Sequence, residues 1–140
     1  MFDSTDIIDN NAETHWLSGI IAIKTDNMIN AEKELSWLKK IIDIYKISKD
    51  NYYEPYKFYL HLNSLVLEKN GDLENAEIEY RKLIKMKTQL SYWITYYNYQ
   101  FYYNEYIKFL NRIGKYNQAL IEIEKCMQYS NIYIPTLWEK

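Results

Sequence analysis

The chain has 140 residues and a net charge of −2, and 48% of its residues are apolar. That length suffices for a single domain with a buried core, whereas the small net charge argues against nucleic acid or an anionic membrane as a partner. No apolar run is long enough to predict a membrane-spanning helix, and the acidic N-terminus has no signal-peptide pattern. We therefore expect one cytoplasmic domain that comprises residues 1–140.

Few helix breakers interrupt the sequence, which contains only three glycines and two prolines. Between them, apolar residues recur at intervals of three and four, the period of an amphipathic helix. Gly71 and Gly114 lie where glycine often ends a helix, and either Asp72 or Asn70 can cap the helix that follows. The pattern predicts an all-α fold with helices near residues 12–24, 29–47, 54–70, 73–87, 91–113 and 116–129.

Three similar turns divide the predicted helices into pairs. Each turn begins with a turn-forming residue, and an alanine follows five positions later; the alanines are 45 and then 43 residues apart. The turns begin at Asp26, Gly71 and Gly114, and the alanines are Ala31, Ala76 and Ala119. Such self-similarity indicates stacked repeats, here near residues 12–47, 57–87 and 91–129, with 1–11 and 130–140 as terminal segments.

The spacing of small residues resembles the tetratricopeptide repeat (TPR) family, in which small side chains lie where two helices cross. Gly19 and Ser64 precede the alanines of their repeats by twelve positions, whereas the third repeat has Ile107. Residues 10–15 also resemble the linker between consecutive repeats. The resemblance covers about residues 9–129 and implies an α-solenoid of three antiparallel helix pairs in a right-handed superhelix. A plain antiparallel bundle is the alternative, since bundles also place small residues at crossings.

Two departures from the family bear on function. The period is about ten residues longer than the usual ~34, so each repeat needs longer helices or longer loops. Some family members clamp a peptide C-terminus with Lys, Asn and Arg, but the matching positions here carry Trp16, Ile20, Leu62, Phe101 and Glu105. We therefore do not expect this chain to bind chaperone tails.

In the TPR family, the first helix of each pair lines a concave binding face. The resemblance implies a peptide-binding face formed by Trp16, Ile20, Lys24, His61, Leu65, Lys69, Asn104, Lys108 and Arg112. Stacked repeats would align the basic residues that end the three triplets (Lys24, Lys69 and Arg112) opposite an acidic partner. Cations are also favoured at ordinary helix C-termini, so both interpretations stay open.

The last two predicted helices differ in their apolar patterns. Residues 92–106 carry an unusual density of tyrosine, which suits either a central buried helix or an exposed aromatic surface for binding or self-association. In the final helix, the residues predicted to face inward are Ala119, Leu120, Ile123 and Cys126.

No motif points to catalysis. His15 and His61 lack metal-ligand spacing, and Cys126 is the only cysteine, predicted to be a buried thiol. There is also no phosphate-binding loop or nucleophile motif. We expect neither enzyme activity nor a cofactor or metal.

These observations favour a non-catalytic adaptor that binds a protein or peptide, acidic segments included, through a concave face. The alternatives are a structural or oligomerisation segment of a larger repeat protein, and a regulatory peptide sensor. Ile132, Tyr133, Ile134, Leu137 and Trp138 resemble the start of a further first helix. They predict an apolar C-terminal surface through which the chain self-associates.

Overall fold

The computed structural model describes the backbone of residues 4–44, 54–86 and 92–133, and the side chains of residues 11–44, 54–86 and 100–127. Over these residues the secondary structure is helical and contains no strand, which confirms the all-α prediction. The helices are α1 (Ser4–Lys24), α2 (Met28–Ile44), α3 (Glu54–Lys69), α4 (Leu73–Lys85), α5 (Tyr92–Arg112) and α6 (Tyr116–Tyr133).

The chain divides into two compact units, Met1–Leu90 and Ser91–Lys140. Unit 1 contains α1 to α4, and unit 2 contains α5 and α6. None of the described helices is both long and apolar enough to cross a membrane.

The helix bounds agree with the predicted ones to within a few residues, except at two ends. Helix α1 starts at Ser4, so residues 10–15 lie within it and the prediction of a linker there is wrong. That segment contains no Gly or Pro to end a helix, and Ala12 is fully buried in the core of unit 1. Helix α6 continues to Tyr133, beyond the predicted end at residue 129, so the assignment of Ile132 and Tyr133 to a further helix is wrong.

The three turns have the same backbone structure. Asp26, Gly71 and Gly114 all have a left-handed backbone, with φ of 58°, 84° and 82°. The N–H of the next residue then donates to the carbonyl five positions earlier, the bond that defines a Schellman helix end. These bonds are Asn27 N to Ala22 O at 2.8 Å, Asp72 N to Leu67 O at 2.9 Å and Lys115 N to Leu110 O at 2.9 Å. The chain thus repeats one helix–turn–helix connection three times.

The residue after each left-handed position immediately precedes the second helix of a pair and occupies its capping position. The Asn27 Oδ1 atom accepts a hydrogen bond from the N–H of Asn30 at 3.3 Å, and Asp72 Oδ1 accepts one from Asn75 at 3.3 Å. Asp72, rather than Asn70, is therefore the cap of α4. Lys115 occupies this position in the third turn, and its ammonium group cannot accept such a bond.

All four helices of unit 1 contribute buried residues to its interior. Helix α1 packs against both α2 and α3, and α3 also packs against α4. The buried core of the first three helices consists of Ala12, Ala22, Ile23, Ala31, Leu38, Leu62 and Val66. Gly19 allows the close approach of α3, because a Cβ atom at this position would lie 2.5 Å from Leu62 Cδ2.

In unit 2, α5 packs against α6. Tyr106, Phe109 and Leu110 of α5 are buried, as are Ala119 and Cys126 of α6. Ala31 and Ala76 are buried as well. The resemblance to the TPR family implies burial of the three turn alanines, because small residues lie at helix crossings there, and this burial is thus confirmed. A right-handed superhelix stays a prediction.

The inner face of α6 differs from the predicted one. Leu120 and Ile123 are exposed, so their predicted inward orientation is wrong, whereas Glu122 is buried. The Tyr103 hydroxyl donates to Glu122 Oε2 at 2.5 Å, and Gln118 Nε2 donates to Glu122 Oε1 at 2.9 Å. Because these partners satisfy the carboxylate, a charged residue takes an interior position that the apolar pattern did not indicate.

Candidate binding surfaces

Two residues of the predicted concave face contact each other in unit 1. Trp16 Nε1 donates a hydrogen bond to His61 Nδ1 at 3.0 Å, which assigns the acceptor role to that ring nitrogen. The indole also stacks on Phe58, with 4.7 Å between ring centroids. His61 is only 1% exposed, and its ring lies beside Tyr80. This contact fixes α1 beside α3.

The other four predicted residues of unit 1 lie further along the same two helices. Ile20 and Leu65 are partly buried and pack against the core, whereas Lys24 and Lys69 are exposed. Lys69 Nζ lies 3.3 Å from Asp26 Oδ1, and both side chains are exposed. An ion pair of this kind contributes only about 0–1 kcal/mol, so a ligand carboxylate can replace Asp26 at little cost.

A second cluster of side chains joins α1 to α2. His15 Nδ1 lies 2.5 Å from Glu34 Oε2, and the imidazole stacks on Trp37 with a centroid separation of 5.5 Å. The Lys40 ammonium lies 5.0 Å from the centroid of the same indole. The cluster supplies hydrogen bonding and cation–π contact between the paired helices, and the sequence analysis did not identify it.

Unit 2 contains an apolar groove between α5 and α6 that the sequence analysis also missed. The groove has a volume of about 380 Å³ and is lined by Ile107, Lys108, Asn111, Tyr116, Ala119, Leu120 and Ile123. On α6, Tyr116, Leu120 and Ile123 are exposed. Their spacing of four and three residues places them on one side of the helix. The sequence signal for this surface is that spacing, whereas the sequence analysis assigns Leu120 and Ile123 to a core-facing stripe.

The three predicted residues of unit 2 differ from one another in their surroundings. Lys108 lines the groove, and its Nζ atom lies 3.3 Å from Glu105 Oε1. Asn104 and Arg112 are exposed, and Asn104 Oδ1 accepts a hydrogen bond from Gln100 Nε2 at 3.2 Å. The structure therefore describes all nine predicted residues, six in unit 1 and three in unit 2. Their joint role as one binding face stays a prediction.

The tyrosine-rich helix α5 is described in part. Tyr102, Tyr103 and Tyr106 are buried, whereas Phe101 is exposed. Residues 92–99 lie outside the described side chains, and so do Ile134, Leu137 and Trp138 of the predicted C-terminal surface. Both interpretations of the aromatic run therefore stay open for its first half.

The single thiol has the environment that the sequence predicts. Cys126 is buried, and its Sγ atom lies 3.0 Å from Gln100 Nε2, which donates to it. Burial raises the pKa of the Cys126 thiol, although the Gln100 hydrogen bond acts in the opposite direction. Within the described ranges, no three His, Cys, Asp or Glu side chains are grouped so as to hold a metal ion.

No protein-family model, curated protein or solved structure matches this chain. The resemblance to the TPR family therefore stays a prediction. The internal evidence for a repeat is the recurrence of one turn structure at Asp26, Gly71 and Gly114.

Proposed function

We propose that this chain is a non-catalytic, cytoplasmic helical-repeat adaptor that binds a protein or peptide segment carrying acidic residues. The observation that carries the proposal is a mixed apolar and basic strip on unit 1. The strip comprises partly buried Ile20 and Leu65 and exposed Lys24 and Lys69. It combines apolar contact area with cations that carboxylates recognise.

The two lysines have equivalent places on adjacent helices. Lys24 and Lys69 are 45 residues apart, as are Trp16 and His61, which share a hydrogen bond. Each lysine lies eight residues after the member of that bonded pair on its own helix. The two ammonium groups thus belong to the same end of α1 and α3, where one acidic segment can meet both.

If the third repeat stacks in the same way, Arg112 and Asn104 extend the strip, as the resemblance to the TPR family implies. The concave face would then present three basic positions in succession. The binding energy would come from the apolar residues, and the cations would set the preference for acidic partners and the dependence on salt.

The test is affinity capture from extract of the native cell, followed by mass spectrometry. The variant Lys24→Glu/Lys69→Glu should lose the captured partner or retain less than about a tenth of it, because each reversal repels a carboxylate. The matched control is Lys33→Glu/Lys39→Glu, which makes the same charge change at exposed positions of α2 and should capture normally. Equal capture by both double variants would refute the proposal.

A second candidate function is self-assembly, the oligomerisation role left open by the sequence. It is favoured by the apolar groove of unit 2, because an exposed groove of this kind is typical of a surface that another helix covers.

A further inference from the structure

We propose that the groove between α5 and α6 binds helix α1 of a second copy of this chain, so that copies associate head to tail. The proposal rests on the candidate function of self-assembly and uses other residues than the binding of an acidic partner. One copy contributes Leu17 and Ile21, and the other contributes Tyr116, Leu120 and Ile123.

The groove has a filled counterpart within the same chain. Because the turns are equivalent, Ile107 and Ala119 of unit 2 correspond to Gly19 and Ala31 of unit 1. In unit 1, the pair α1–α2 packs against α3, and Leu62 of α3 lies directly against Gly19. The corresponding place on the pair α5–α6 is the open groove, where Leu120 is 63% exposed.

Helix α1 carries the side chains that would fill this groove. On α3, Leu62 and Val66 are buried against the preceding pair. Leu17 and Ile21 of α1 precede them by 45 residues and hold the same positions in the repeat. They are nevertheless 46% and 62% exposed. The chain thus displays both a docking face like that of α3 and a groove like the one that α3 occupies.

The two surfaces differ from each other, so the contact is heterologous. A face on unit 1 of one copy meets a groove on unit 2 of the next, so the first copy keeps a free groove and the second keeps a free face. Ile107 occupies the position equivalent to Gly19, whose small size lets Leu62 pack closely. We therefore expect α1 of the second copy to approach α5 less closely than α3 approaches α1 within one chain. The groove volume of about 380 Å³ provides the space for this wider contact.

Charge distinguishes this proposal from the binding of an acidic partner. In unit 1, Lys69 pairs with Asp26. The equivalent contact between copies would bring Lys24 next to Gly114, which lacks the carboxylate of Asp26, and near the amine of Lys115. Lys24→Glu should therefore strengthen self-association by roughly two- to fivefold. The same substitution should weaken capture of an acidic partner.

The test is sedimentation velocity of the full chain over a range of concentrations, with circular dichroism to check folding. The wild type should associate in a concentration-dependent manner. Leu17→Asp and Leu120→Asp should each weaken association at least tenfold, because each places a carboxylate in an apolar contact. Ile29→Asp is the matched control, since Ile29 is an exposed apolar residue of α2 outside both surfaces, and it should associate like the wild type.

A mixture of the two defective variants gives the sharpest result. Each variant keeps one intact surface, so equimolar Leu17→Asp and Leu120→Asp chains should form a heterodimer that does not grow further. A wild type that stays monomeric at high micromolar concentration would overturn the proposal. A mixture that stays monomeric would overturn it too, as would association that requires Leu137 and Trp138 but is insensitive to Leu17→Asp.

Discussion

Substitution of Gly19 by alanine should destabilise unit 1 through one identifiable contact. The added Cβ atom would lie 2.5 Å from Leu62 Cδ2 and 2.8 Å from Cδ1, whereas carbon atoms in contact are normally about 3.5–4.0 Å apart. Leu62 is fully buried, so its side chain cannot turn into solvent. The neighbours of Leu62 must therefore shift together with it.

Two opposing terms set the size of the effect. Overpacking of a core costs about 1–3 kcal/mol, while replacing a mid-helix glycine by alanine favours folding by about 1 kcal/mol. We expect a net loss of about 1 kcal/mol in the free energy of unfolding. In a Leu62→Ala background the clash is absent, so the same substitution should instead stabilise the protein by about 1 kcal/mol.

The assay is urea unfolding, monitored by circular dichroism, of the wild type, Gly19→Ala, Leu62→Ala and the double variant. The two measurements of Gly19→Ala should differ by about 2 kcal/mol, within the usual range for residues in contact. Ser18→Ala, at the neighbouring exposed position, is the control and should have the same effect in both backgrounds. An equal effect of Gly19→Ala in both backgrounds would refute the assignment of Leu62 as the obstacle.

Three further substitutions or reactions test other parts of the structure. Asp26→Gly should raise the free energy of unfolding by about 0.5–1 kcal/mol, because φ is 58° there and glycine adopts this conformation without strain. Both Asp26→Gly and Asp26→Asn are measured by thermal unfolding, and Asp26→Asn gives the separate effect of losing the ion pair with Lys69. Tyr103→Phe should lower the free energy of unfolding, measured with urea, by about 1–3 kcal/mol, because it removes a hydrogen-bond donor from the buried Glu122 carboxylate. Iodoacetamide should alkylate Cys126 more slowly than free cysteine at pH 8, since its raised pKa leaves less thiolate, and urea should abolish the difference.

The turns were predictable because their structure depends on local residue chemistry. Gly71 and Gly114 allow a left-handed backbone that most residues avoid, and Asp26 is among the side chains that tolerate it. The alanines at fixed distance from these turns then identified the buried positions. The start of α1 was not predictable in this way, because its early residues resembled a family linker although they contain no helix breaker.

The inner face of α6 could not be derived from its apolar residues alone. Leu120 and Ile123 have the spacing of a core stripe but are exposed, while Glu122 is buried by its bonds to Tyr103 and Gln118. Tyr103 is 19 residues away, so the residues of α6 considered alone do not reveal this partner. An apolar stripe predicts only that a surface is covered, whether by the same chain or by another.

The predicted concave face illustrates a related limit. The alignment of successive repeats was informative, since Trp16 and His61 hold equivalent positions and form a hydrogen bond between α1 and α3. Because equivalent positions on α1 and α3 face each other, Trp16 contacts His61, and His61 is therefore buried. In a repeat chain, a position whose equivalent is buried indicates what would cover it. Leu62 and Val66 of α3 are buried, whereas the equivalent Leu17 and Ile21 of α1 are exposed. This exposure therefore indicates that α1 has a docking face like the one that α3 uses within this chain.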